Sequence, residues 1–329
     1  MRFRYASPHK HGCKSPQILH LNYVRKLKIT PLFPEKKSPH PILSDSFLAW
    51  SFVLIWGAGF IATKNGIQYA APFTFLALRF ALGLVCLLPV LLVLKPRWPT
   101  QRREWFHIIV AGLLMHAIHL GGTHYAQYMG MSAGVAAIIL AAQTLLTAAI
   151  AALWLNERPT RGQWLGVAVG LAGVAMVVWH KLDIALVSMA SLIAVLIGLS
   201  ALTAGTLYQR RFCAEADLRA STAIQFASCL VVMAPLSFVV EGSAVRWSWS
   251  LLFSLLFLVL LASIYAVNAL HVLMRRAKAT RVSGMLYLPP IVAVVLELLL
   301  FEVVPTPLTL IGMGVTAIGV TLTTRKIAA

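Results

Sequence analysis

PTRGQWLGVAVGLAGV, residues 159–174, returns as PTPLTLIGMGVTAIGV, residues 305–320. Pro159-Thr160, Gly166 and Gly173-Val174 fall on Pro305-Thr306, Gly312 and Gly319-Val320 at an offset of 305 − 159 = 146. On the same ungapped diagonal Pro89 falls on Pro235 and Lys64 on Arg210. Each half of the chain reads as five apolar runs. An odd number of crossings per copy makes the second copy enter the bilayer from the opposite side, which is the inverted-repeat plan of secondary transporters. The expected fold is therefore an all-α polytopic membrane protein, with ten transmembrane helices in two inverted five-helix repeats. The repeats cover residues 46–180 and 187–324, behind a basic N-terminal tail at 1–45.

Composition agrees. A hydrophobic content of 59%, only 12% charged residues and a mean hydropathy of +0.81 leave too little polar surface to solvate a globule of 329 residues. Runs near the roughly 20 residues that a bilayer needs lie at 46–65, 71–94, 105–128, 132–154, 162–180, 187–209, 220–240, 248–271, 282–303 and 306–324. The third is the least apolar, with His107, His116, His119, His124 and Gln127.

Lys and Arg gather on one side of this arrangement. Residues 1–45 hold nine against Glu35 and Asp45, and the loop at 272–281 holds Arg275, Arg276, Lys278 and Arg281 with no acid. Such an excess marks cytoplasmic loops, so both termini are expected inside, in the plasma (inner) membrane. The formal charge of +18 then needs no nucleic acid to explain it. Residues 1–45 carry no signal-peptide core and read as a disordered cytoplasmic tail. Cys13, Cys86, Cys213 and Cys229 show neither paired nor metal-type spacing.

Over about residues 47–324 the chain resembles the drug/metabolite transporter superfamily, specifically its ten-helix EamA-type members. The resemblance rests on Trp56-Gly57, Lys64, Pro72, Arg79, Asn156-Glu157-Arg158-Pro159-Thr160, Gln163, Gly166 and Gly173-Val174 in the first copy. In the second copy it rests on Pro289-Pro290, Glu302, Pro305, Gly312 and Gly319-Val320. Gln143-Thr144 stands where that family often has a proline, so a broken fourth helix is not expected. The resemblance implies a transporter of small polar metabolites, amino acids or drug-like compounds, with efflux favoured over uptake.

Several residues are candidates for the transport path. Gly166, Gly170, Gly173, Gly312, Gly314 and Gly319 are expected to let helix backbones approach closely in lipid. Pro289 and Pro290 remove two donors in what reads as the middle of the ninth span, tolerable only against protein or water. Arg79 and Glu297 are charges roughly 12 and 9 Å inside the outer ends of the second and ninth spans, where a charge costs at least about 2.5 kcal/mol. As opposite charges at one level they are expected to couple; apart, Arg79 would take a substrate carboxylate or phosphate and Glu297 a coupling proton. His116, His119, Thr123 and Gln127 follow helical spacing on one face of the third span and are expected to look into a cavity. Opposite them stand Gln143, Thr147, Thr203, Thr206, Gln225 at the Arg79-equivalent position (79 + 146), Tyr265 and Asn268. The histidines lack a companion Asp, Glu or Cys at metal-site spacing, so no metal and no cofactor is expected.

Two function classes follow. The first is a secondary transporter working by alternating access on a small-molecule substrate within the lipid bilayer, with proton or ion coupling and a homodimer left open. The second is a polytopic membrane enzyme acting on lipid-linked substrates. Such enzymes carry acidic or His clusters on sizeable loops, whereas the loop at 95–104 here holds only Glu104. No GxxxxGK[ST] phosphate loop is present, which argues against nucleotide-driven transport.

Overall fold

The computed structural model describes residues 45–154, 160–183, 187–276 and 288–324; the N-terminal tail and the Asn156 to Pro159 motif lie outside them. These residues form ten helices. In the first half they are α1 (Asp45–Gly66), α2 (Pro72–Leu94), α3 (Arg102–Tyr128), α4 (Ala133–Trp154) and α5 (Arg161–Asp183). In the second half α6 is Met189–Phe212, α7 is Leu218–Glu241, α9 is Pro289–Phe301 and α10 is Pro307–Thr324. Between α7 and α9, α8 is built of Trp249–Leu256, Phe257–Ala266 and Val267–Arg276. Eight of the ten are long and apolar enough to cross a bilayer, and α9 and α10 are shorter apolar helices. The molecule is an all-α polytopic membrane protein.

Two helices are not α-helical throughout. Residues Leu113–Ile118 of α3 and Phe257–Ala266 of α8 are π-helical. They occupy equivalent helices of the two halves. Such wide turns are rare and recur at functional sites.

Pairing of helices follows the repeat. α5 packs on α10, α2 on α7 and α4 on α9. The contacts of α1 with α8 and α9 and of α2 with α8 have counterparts in those of α6 with α3 and α4 and of α7 with α3. Loop contacts establish the inversion. Ala70, after α1, forms an antiparallel bridge with Val245, after α7, so those two helix ends share a face. The five-residue turn from α6 to α7 puts the end of α6 on the opposite face, and Arg97 N donates to Asp217 there at 3.5 Å. Equivalent helices α1 and α6 therefore run in opposite directions. Asp217 also caps α7 through the amides of Arg219 and Ala220. Burial alone would raise its carboxyl, but these amides, with Arg97 N and the Arg219 charge, hold it below the usual carboxylate range.

Glycines do the expected work in the α5–α10 seam. A Cβ on Gly173 would sit 2.6 Å from Thr316 N, and one on Gly312 would sit 2.8 Å from Gly173 O. Gly319 lies against the backbone of Gly166 and Gly170. Gly314 differs: nothing stands within 4 Å of its would-be Cβ. The prolines of α9 need correction. Pro289 and Pro290 occupy the first two positions of α9 and not the middle of a described helix. There the missing N–H groups have no intrahelical partner in any case. Pro289 O packs against Gly57 of α1, where only a residue without Cβ fits.

Candidate functional site

The centre of the molecule carries two matching cross-repeat contacts. On α2, Arg79 Nη2 donates to Ser263 Oγ at 3.2 Å, inside the π-helical stretch of α8. On α7, Gln225 Oε1 meets His116 Nε2 at 3.2 Å, inside the π-helical stretch of α3. Arg79 and Gln225 are in register in the repeat, since 225 − 79 = 146. The fold thus sets this register against the π-helical stretch of the other repeat twice, with a cation in one copy and a neutral amide in the other, though the partners Ser263 and His116 are one residue out of register (263 − 146 = 117). Ser263 Oγ donates in turn to Leu258 O, five residues back, which satisfies a carbonyl in the widened turn.

Gln225 is well supplied. It is buried, and its Nε2 donates to Gln209 Oε1 at 3.2 Å. His116 lies edge-on to Phe80 and Phe226. Arg79 is half-buried, and among the described residues its five-donor fork makes a single side-chain bond, to a neutral hydroxyl. Among the described residues the only ion pair within 4 Å is elsewhere. A guanidinium held this way offers a planar pair of donors to a carboxylate or phosphate.

Two further members of the α3 stripe, His119 and Thr123, bond to backbone carbonyls. His119 Nδ1 meets Gly198 O at 3.3 Å, and Thr123 Oγ1 returns to His119 O at 2.8 Å. A Cβ on Gly198 would sit 2.8 Å from His119 O, so the stripe lies on the close α3–α6 crossing. Gln127 is buried, and among the described residues neither of its amide atoms is bonded. His124, off the stripe, reaches Thr63 Oγ1 at 3.3 Å through Nε2, while its Nδ1 has no partner. Of the opposing candidates, Gln143 donates to Thr206 at 3.0 Å and Tyr265 OH meets Ser51 Oγ at 3.0 Å, linking α4 to α6 and α8 to α1. Thr203 bonds back to Leu199 O, and the Thr147 hydroxyl is buried without a partner among the described residues. Asn268 is exposed and donates only to Ile264 O of its own helix, so it does not join the others.

Glu297 departs most from expectation. It does not meet Arg79; its Oε1 accepts from Lys64 Nζ at 2.6 Å, and Oε1 and Oε2 accept from Ala133 N and Gly134 N at 2.8 Å each. Glu297 is only 3% exposed. The reason is geometric. α9 packs chiefly on α1 and α4, and Glu297 lies four residues, about 6 Å, from the end of α9. The first turn of α4 presents free N–H groups and positive dipole there. Lys64 completes the neutralisation, with Nζ also 4.5 Å from the Phe301 ring centroid.

Sequence reasoning passed over Lys64 and Ser263 as site residues. Lys64 was visible as a charge near a helix end, but nothing in its spacing pointed to α9. Ser263 is one hydroxyl in an apolar run, and only the π-helical turn aims it at Arg79. Among the described residues no group of three or more His, Cys, Asp or Glu could hold a metal.

Comparison with known proteins supplies the lineage. The profile of the EamA-like transporter family matches the chain twice, over residues 44–179 and 189–325. A probable amino-acid metabolite efflux pump of Salmonella typhimurium is 26% identical over 257 residues, covering 75% of this chain and 84% of that protein. Its namesake in Escherichia coli K12 is 25% identical over 277 residues, covering 82% and 90%. The uncharacterized inner membrane transporter YedA of Escherichia coli K12 is 25% identical over 256 residues, covering 75% and 79%. None of these names supports the enzyme alternative. One crystal structure, at 16% identity, superposes with a TM-score of 0.58 over 85% of this chain and 96% of the other, a likeness of fold.

Proposed function

The chain belongs to the EamA-like transporter family, and from that premise we propose that it exports small carboxylate-bearing metabolites, amino acids foremost. Export runs from the cytoplasm across the plasma (inner) membrane by alternating access, with both termini inside. Two relatives bear the name of amino-acid metabolite efflux pumps, which supports this substrate class.

One observation carries the reading. Arg79, seven residues or about 10 Å into α2, is held by a single neutral hydroxyl where the repeat-equivalent position has a satisfied Gln225. An unpaired cation at that depth is costly unless something anionic visits it. In the outward and inward states Arg79 takes the substrate carboxylate in turn, while Gln225 and His116 offer neutral donors and acceptors on the opposite side of the pseudo-twofold axis.

The test is counterflow in proteoliposomes with a panel of amino acids, their carboxamides and organic cations. Amino acids should exchange and their carboxamides should not. Arg79→Gln should lower exchange about 10- to 100-fold, the loss of a charge-assisted pair, and Arg79→Lys should restore it only in part. Equal transport of carboxylates and carboxamides, indifferent to Arg79→Gln, would sink the proposal.

A further inference from the structure

We infer that Glu297 carries the coupling proton and bolts the outer gate of the transporter, an inference that rests on the exporter reading above. The bolt joins three helices of both repeats: Glu297 of α9 to Lys64 of α1 and to the first amides of α4. It sits on the face that holds the loop after α1, the outer face in the proposed orientation. That face is closed by further ties between the repeats. Asn65 donates to Ser250 O and Ser254 Oγ, Arg246 reaches the carbonyls of Gln68 and Tyr69, and Glu241 caps α2 through Phe73 N, Thr74 N and Thr74 Oγ1.

Glu297 differs from all of these in being buried, charged and paired with a cation. The residue in register with Glu297 is Ala151 (297 − 146), flanked by Ile150 and Ala152.

The groups that face Glu297 are few. α9 packs on α1 and α4. α1 presents Lys64, and α4 contains no titratable side chain at all. Next along is His124 of α3, whose Nε2 meets Thr63, the residue before Lys64. Among the described residues Nδ1 of His124 and both side-chain amide atoms of Gln127, further along α3, have no hydrogen-bond partner, and such unsatisfied buried polar atoms are where bridging water is held.

The cycle is then simple. A hydronium ion outside gives its proton to a Glu297 oxygen, leaving water and a neutral carboxylic acid. Lys64 loses its counter-ion and the α4 amides lose a charged acceptor, so α9 separates from α1 and α4 and substrate leaves outward. After reorientation the O–H bond ionises, the proton passes to cytoplasmic water, and the carboxylate closes the bolt again. One proton enters for each substrate exported.

The full-length protein in proteoliposomes tests this with two readouts. The first is the ratio of proton-gradient-driven amino-acid accumulation to counterflow at equal pH. The second, which needs no substrate, is labelling of Ser132→Cys by an impermeant maleimide at one fixed pH, read against the parent chain. In Glu297→Gln, whose one amide oxygen can still accept from a single α4 N–H group, the ratio should fall about tenfold, within the usual range of coupling energies. Ser132→Cys should also label severalfold faster, and Glu297→Asp should recover part of the ratio. An unchanged ratio or an unchanged labelling rate in Glu297→Gln overturns the inference. Absence of counterflow in the parent chain would instead overturn the exporter reading, while the labelling still decides the gate.

Discussion

At the scale of single residues, the instructive case is the pair of charges read from the sequence as partners. Arg79 and Glu297 have opposite sign and similar depth, yet one rests on Ser263 and the other on Lys64. Depth along a span is a one-dimensional coordinate, and it says nothing about which helices are neighbours. A double-mutant cycle in thermal unfolding of the detergent-solubilised protein should report this. Lys64→Met and Glu297→Gln should interact by about 0.5–3 kcal/mol, because each single change strands a buried group. Arg79→Gln and Glu297→Gln should add. Interaction in the second cycle and additivity in the first would contradict the arrangement described here.

At the scale of elements, the α5–α10 seam shows how far composition can be pushed. In lipid, two helices gain little from hiding apolar surface, so association depends on close contact of backbones. Gly173, Gly312 and Gly319 meet backbone atoms across the seam, but Gly314, which reads the same in sequence, faces open space. Gly173→Leu or Gly319→Leu should therefore cost at least about 1–3 kcal/mol by overpacking, seen as a lower unfolding midpoint. Gly314→Ala should leave it unchanged or raise it, since Ala is the better helix former. Loss of stability in Gly314→Ala equal to that in Gly173→Leu would show that the seam is not what these glycines serve. The π-helical stretches of α3 and α8 had no such signature, because a widened turn is a local compromise imposed by neighbouring helices.

At the scale of the whole molecule, the charge distribution and the antiparallel equivalent helices make one prediction about orientation. A cysteine introduced at position 278 should be shielded from an impermeant thiol reagent in intact cells, and one at position 181 should react. The reverse pattern would invert the orientation and move the bolt of Glu297 to the cytoplasmic face. Read alone, the sequence determined the class, the ten helices but not the start of the ninth or the end of the eighth, the repeat and its parity, the equivalence of Arg79 with Gln225, and the family. These follow from hydropathy, length and a fixed offset, which are properties of the chain taken in order. Tertiary structure decided the partners: Ser263 for Arg79, Lys64 and the α4 amides for Glu297, Gly198 for His119, and the place of Pro289-Pro290 at a helix start. Side chains hundreds of residues apart meet only through the rotation and neighbour order of packed helices, and an apolar stretch that must satisfy lipid on one side and other helices on the other leaves that order almost unmarked in its sequence.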